Sequence, residues 1–166
     1  MHSTLIRAAL VCALLATPVA ARAQSSGGPT QSINGNPFGV LLGWFNAEYE
    51  RKVNDSVAVV VGGSYWGTDG SDDAYSNGDV MVRYFPQRRA LRGFYVGTKV
   101  GLTRTERSRT RFGIGFDTGY QFTLGPDGRF YLATGVGLKR LFGKADEWYA
   151  PDLVPTFRIV NVGIAF

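Results

Sequence analysis

A chain of 166 residues with 18 basic and 13 acidic side chains carries a net charge of +5, but its one histidine and one cysteine, His2 and Cys12, both fall in the first 23 residues. If that stretch is a signal that is removed, the remainder holds neither imidazole nor thiol. That excludes Ser-His-Asp and Cys-His nucleophilic sites and the zinc and copper sites that draw on His and Cys. No cofactor and no metal are expected, and with Arg7 and Arg22 also gone the net charge is +3, which calls for no nucleic-acid partner.

Residues 1–23 read as a cleavable secretory signal: Arg7 supplies the positive start, residues 10–15 the apolar stretch, and Ala21-Arg22-Ala23 a small-x-small site before Gln24. The apolar stretch is shorter than the ~20 residues of a membrane-spanning helix. Lipidation at Cys12 is disfavoured by the branched Val11 before it. The remaining 143 residues suit one domain, with 24–30 a flexible N-terminal segment and 31–166 a β-barrel. All 22 Gly and all 22 Phe, Trp and Tyr lie in this part, about 15% each, against an average Gly usage of about 7%.

Residues 30–43 come first and are the least regular. Phe38, Val40, Leu41 and Leu42 form a nearly continuous apolar run whose alternation breaks at Gly43. Two readings stand: a short first strand that closes against the C-terminal one, or a short helix at 37–43, where Pro37 suits a first helical turn. Strands are then expected at 44–50, 57–66, 78–85, 93–104, 111–123, 130–141 and 154–166, on period-two alternation. In the fifth of these, Phe112, Ile114, Phe116, Thr118, Tyr120 and Phe122 alternate with Arg111, Gly113, Gly115, Asp117, Gly119 and Gln121. One face is large and apolar; the other is small or polar. Counting the first strand gives eight, the even number of bacterial single-chain barrels. The expected fold is therefore all-β, an eight-stranded antiparallel up-and-down transmembrane barrel. A secreted soluble barrel also alternates, but Gly suits a crowded lumen better than a solvated surface.

Connections alternate in length. Short ones at 51–56, 86–92 and 125–129 are expected to be periplasmic, and longer ones at 67–77, 103–110 and 143–153 extracellular. Beside the short turns and the C-terminus, Tyr49, Tyr84, Phe94, Tyr120, Phe122, Phe130 and Phe166 are expected to form one aromatic ring. The other ring draws on Tyr65, Trp66, Phe112, Phe142, Trp148 and Tyr149, with Tyr65 and Trp66 unable to point the same way. In the last strand, Val160, Val162, Ile164 and the terminal Phe166 alternate up to the end of the chain.

The signal, the Asn36-Pro37 opening, the Glu48-Tyr49-Glu50-Arg51 strand end and the terminal Val162-Gly163-Ile164-Ala165-Phe166 resemble small outer-membrane barrels of the OmpA/OmpX type, more narrowly the OmpA-like barrel proteins of unassigned function. The resemblance implies location in the outer membrane of a Gram-negative bacterium. It also makes Val160, Val162, Ile164 and Phe166 similar to the signal read by the barrel-assembly machinery. The chain departs from OmpA itself in lacking a periplasmic peptidoglycan-binding domain. Lipid A deacylases and palmitoyltransferases are also small outer-membrane barrels, but their histidine has no counterpart after residue 23, so no catalysis is expected.

Glu48, Arg83, Lys99, Asp117 and Lys139 fall on the inward phase of their strands, and charges in a narrow interior need partners. They read as a polar network that fills the barrel or, alternatively, as a gated path for ions or small solutes; a large porin needs about 16 to 18 strands. Arg104, Arg107, Arg109 and Arg111 surround the second long loop, where they could pair with lipopolysaccharide phosphates, or form a solvated basic loop. Asp69, Asp72 and Asp73 in the first loop do not match an EF-hand. The expected role is structural or surface-interacting, with outer-membrane lipid and lipopolysaccharide as partners, and a monomer is favoured.

Overall fold

The computed structural model describes residues 28–41, 43–67, 74–105, 110–143 and 152–166. Eight antiparallel strands close into one barrel in sequence order: β1 (Gln31–Gly35), β2 (Trp44–Asn54), β3 (Val57–Trp66), β4 (Tyr75–Tyr84), β5 (Gly93–Thr105), β6 (Arg111–Leu124), β7 (Phe130–Phe142) and β8 (Leu153–Ala165), with one short helix, α1 (Pro37–Leu41), between the first two strands. The all-β, eight-stranded antiparallel barrel expected from the alternation is therefore present. The signal stretch 1–23 and residues 24–27 lie outside the described residues.

Both readings of 30–43 are realised, one after the other. β1 closes the barrel, pairing Ser32 to Gly35 with Ala165 to Val162 on β8 and lying against β2 on its other side. The chain is anchored just before it: Thr30 donates to the Phe166 carbonyl at 2.9 Å and accepts from Lys52 at 2.8 Å. Asn36 then caps α1, its Oδ1 accepting from the amides of Phe38 (3.0 Å) and Gly39 (3.1 Å), with Pro37 at the first helical position. Gly43 turns the chain into β2 at φ 70°, a region open to Gly without steric cost. Because β1 is only five residues long, the loop-end halves of β2 and β8 have no ladder partner between them. Pro155, which has no amide hydrogen to give, lies on that half of β8.

Polarity is reversed relative to a soluble fold. On the outer face, Val80, Val100, Leu102, Ile114, Phe116 and Val136 are each 43–55% exposed, while inward-facing Glu50, Arg83, Gln121, Lys139 and Asn161 are at 0%. The alternation assigned these faces correctly along β4 to β7. On β8 it did so only in part, because the ladder skips from Ala133 opposite Asn161 to Gly135 opposite Arg158. This bulge inverts the phase of the strand. Phe157 and Ile159 point out on odd numbers, Val162 and Ile164 on even ones, and Val160 within the bulge is half-buried.

The short-turn end is plugged by apolar side chains. The β4–β5 turn folds across it, with Phe85 donating to the Ser56 carbonyl (2.7 Å) and Ala90 to that of Asp55 (2.8 Å). Ala58, Phe85, Ala90 and Tyr95 pack together there. The turn takes Arg88 (φ 54°) and Leu91 (φ 70°) into the left-handed region, a strain of about 1 kcal/mol or more each, offset in part by the burial of Leu91.

Candidate functional site

The interior charges form two separate clusters, one above the other. The first is built on Arg83, which has no solvent exposure and whose guanidinium reaches Glu50 at 2.9 Å, Glu48 at 3.0 Å and Asp117 at 3.4 Å. Arg158 completes it, pairing with Glu48 and with Asp117 at 3.5 Å and donating to the Tyr95 hydroxyl. Arg83 also lies 4.7 Å above the Tyr95 ring centre, a cation–π arrangement strengthened by the burial of both side chains. Beneath, Glu50 accepts from Gln121 at 2.8 Å and from the Tyr131 hydroxyl at 3.0 Å. Glycine makes room for these long side chains: a Cβ on either Gly119 or Gly135 would stand 2.6 Å from the Tyr95 hydroxyl.

The second cluster sits nearer the long loops. Lys139 donates to Asp79 (2.5 Å), Asn77 (2.7 Å) and Thr103 (3.1 Å), using all three ammonium hydrogens. Asn77 in turn donates to Asp79 at 2.7 Å. At the rim, Arg111 pairs with Asp152 at 2.5 Å and donates to the Leu141 carbonyl at 3.3 Å. In the β2–β3 turn, outside the strands, the hydrogen bond and charge of Lys52, 2.7 Å away, hold the Asp55 carboxyl below its usual range.

Of the five lumen residues read from the sequence, Glu48, Arg83 and Asp117 meet in the first cluster and Lys139 belongs to the second. Lys99 belongs to neither: it donates to Thr156 Oγ1 at 2.5 Å. Glu50 and Asp79 were missed although they share the inward phase of Glu48 and Arg83, so the signal was present in the parity of β2 and β4. Arg158 was missed for a different reason, since the phase set by Val162 and Ile164 places it outward. The only sign of the bulge is that Phe157 and Ile159, and then Val160 and Val162, each flank a polar residue.

One expectation is corrected. Arg111 is not available to a lipid phosphate, because it takes the inward phase of β6, is 4% exposed and is engaged at the rim by Asp152. Of the other three, Arg104 points outward from β5 near the rim, while Arg107 and Arg109 lie outside the described residues, as do Asp69, Asp72, Asp73, Trp148 and Tyr149. Tyr65 and Trp66 point opposite ways, as expected, and Trp66 is the one that takes the inward phase. It pairs in register with Trp44 and Tyr75 on the inward phase, whereas Tyr65 and its neighbour Phe45 point out. Phe112 and Phe142 also point out, their ring centres 6.3 Å apart.

Above the clusters lies a cavity of about 490 Å³, within the usual range of small-molecule pockets. Trp44, Trp66 and Tyr75 line its mouth side; Glu48, Asp79, Met81, Lys99, Asp117 and Arg158 line its floor, and Val154 to Arg158 of β8 one wall. At the terminus, Phe166 is half-exposed on the outer face while its backbone is bonded to Gln31 in both directions at 2.8 Å. No family model, curated protein or solved structure matches this chain.

Proposed function

We propose that this chain is an integral outer-membrane barrel of the small OmpA/OmpX-like type, with a structural or surface-interaction role and no catalysis. The observation that carries this reading is the reversal of polarity: a continuous apolar outside around an ion-paired inside. In water such an exterior is a liability; in a bilayer it is the outward apolar band of a transmembrane barrel. Strand length agrees. β2 to β8 have 10 to 14 residues, against the 9–11 that a tilted strand needs to cross.

On this reading the short turns face the periplasm and the long loops the cell exterior. Tyr84, Phe94, Tyr120, Phe122, Phe130 and Phe166, all outward near the short-turn end, make the periplasmic aromatic girdle. Val162, Ile164 and Phe166 on the outer face of the closing strand present the assembly signal to the barrel-assembly machinery, with Val160 held in the bulge. Arg104 is the described candidate for a lipopolysaccharide phosphate. The two ion-pair clusters and the apolar plug beneath them favour a locked lumen over an ion or solute path.

Electrophoresis of the membrane fraction in SDS, with and without boiling, tests insertion; the unboiled barrel is expected to migrate faster. The same protein in a planar bilayer is expected to give no unitary conductance. Discrete openings would move the reading to a narrow pore, and a soluble protein with no heat-dependent shift would overturn the barrel reading.

A further inference from the structure

We propose that the short-turn end carries a binding site for the phosphodiester headgroup of an anionic phospholipid, built on Arg88, Arg89 and Arg92 with Lys52 beside them. The inference rests on the barrel reading, which sets the short turns at the surface of one bilayer leaflet. It starts from where the charge lies. In the lumen, Arg83, Lys99, Lys139 and Arg158 balance Glu48, Glu50, Asp79 and Asp117. The turns 51–56, 86–92 and 125–129 are not balanced: they hold six bases, Arg51, Lys52, Arg88, Arg89, Arg92 and Arg129, against two acids, Asp55 and Asp127. Both acids are taken, Asp55 by Lys52 at 2.7 Å and Asp127 by Arg129 at 3.8 Å. Among the described residues, no carboxylate side chain lies within 4 Å of the guanidinium of Arg51, Arg88, Arg89 or Arg92. If Phe166 adds a terminal carboxylate, accepting from the Thr30 and Gln31 amides, the six bases still outnumber three acids, and Gln24-Ser25-Ser26-Gly27 bring none.

The backbone that carries these arginines is fixed. Arg88 donates to the Phe85 carbonyl at 3.0 Å, Arg92 to that of Arg89 at 3.0 Å and Ala90 to that of Asp55 at 2.8 Å, while Phe85, Ala90 and Leu91 are buried against the barrel end. Arg88 takes φ 54°, a conformation that Gly or Asn adopts at less cost, so the turn holds an arginine where the backbone favours other residues. All three arginines are exposed. They stand around a groove of about 600 Å³ between this turn, the β6–β7 turn and Gly28-Pro29, lined by Lys52, Arg88, Arg89 and Arg92 with Asp127 as the acid on the same lining. Guanidinium forks around a concavity suit the bidentate hydrogen bonds of a phosphate, and a backbone already ordered loses little freedom on binding.

Continuity with the apolar outer face selects a lipid over a free phosphate. Gly125, on the groove lining, lies against Phe130: an added Cβ would stand 3.4 Å from that ring, and Phe130 is exposed on the outer face. Arg92 precedes the outward Phe94 by two residues, and Arg51 shares the outward phase of Tyr49. Bases that continue an aromatic girdle sit at headgroup height, so a molecule with a phosphate at one end and alkyl chains at the other meets both surfaces, whereas free phosphate meets one. A zwitterionic headgroup brings an ammonium of its own among bases already in excess; an anionic headgroup does not.

The test uses residues 24–166 in phosphatidylcholine nanodiscs at physiological ionic strength, with spin-labelled phosphatidylglycerol or spin-labelled phosphatidylcholine as the probe. The immobilised fraction of the label reads association, and the heat-dependent shift in SDS reads folding. Wild type is expected to hold phosphatidylglycerol about fivefold or more tightly than phosphatidylcholine. The triple variant Arg88→Gln, Arg89→Gln, Arg92→Gln is expected to bring the two lipids level, while Arg140→Gln on the outer face of β7 leaves the preference unchanged. Millimolar glycerol 3-phosphate is expected not to displace the lipid; if it abolishes the preference, a soluble phosphate is the ligand and the lipid assignment fails. Equal association of both lipids with a wild type that shows the heat shift, or a preference that survives the triple variant, overturns the inference while the barrel reading stands. Absence of the heat shift in wild type overturns the barrel reading instead. If the triple variant alone loses the shift, Arg89→Gln decides: a preference lowered by about half or more supports the inference, and an unchanged one overturns it.

Discussion

Arg83 is the residue on which the interior turns. It satisfies three carboxylates that approach from β2 and β6, so removing it strands negative charge in the barrel interior. Arg83→Met is expected to cost about 3–5 kcal/mol, read by urea unfolding of the barrel in lipid vesicles. Gly97 supports the same cluster by its small size. A Cβ there would stand 2.7 Å from Asp117 Oδ1 and 2.9 Å from the Val82 carbonyl, so Gly97→Ala is expected to destabilise by about 1–3 kcal/mol in the same assay. At this scale the sequence was legible wherever phase was regular. Glu48, Arg83, Asp117 and Lys139 could be placed inside from parity alone, and the same parity argues against Arg111 as a lipid contact. Partner choice was not legible, because which acid meets which base depends on the stagger of strands up to 110 positions apart, as between Glu48 and Arg158.

Among the elements, β8 departs most from its sequence pattern. The bulge lets Arg158 and Asn161, three positions apart, both face inward, which strict alternation forbids. Its extra residue makes a distinctive prediction. Deleting Val160 leaves Ile159 outward and Asn161 inward on a regular ladder, so the variant is expected to keep its heat-dependent shift. Deleting Val136 from the regular strand β7 sends half of that strand to the wrong face, Lys139 included or Tyr131 and Ala133 instead, and is expected to abolish the shift. Equal tolerance of both deletions would contradict the register. β1 and α1 show why residues 30–43 resisted a single assignment: five residues of strand and five of helix each leave too short a period to recognise. The Asn36 cap holds that junction, joined to β2 by its own amide donating to Asn46 Oδ1 at 2.7 Å. Asn36→Ala is expected to cost about 1 kcal/mol in urea unfolding.

For the whole molecule, one inversion explains both composition and architecture. A closed sheet leaves no exposed edge over most of its height, so its outer face is free to be apolar without pairing to a second sheet, and the core of the domain becomes a column of ion pairs with glycine between them. Apolar side chains plug the short-turn end, charges fill the middle, and an aromatic-lined cavity opens toward the long loops. Seven strands, their order and, along β4 to β7, their faces were readable because alternation repeats across consecutive strands. The cavity was not, since its lining is drawn from β2 to β8 and Trp44, Trp66 and Tyr75 come together only through the register of three strands.

The most direct test of the account is a spin-label accessibility scan of residues 24–166 in lipid vesicles, made simple by the absence of cysteine from that stretch. Single cysteines at the outward positions Val80, Val100, Ile114 and Val136 carry the label, with loop-end Thr110 as the aqueous reference. The account predicts that the four outward labels collide with oxygen and are shielded from a water-soluble nickel complex, while Thr110 shows the reverse. Nickel accessibility at the four positions equal to that at Thr110 would mean that the apolar face lies in water, and would contradict the membrane barrel.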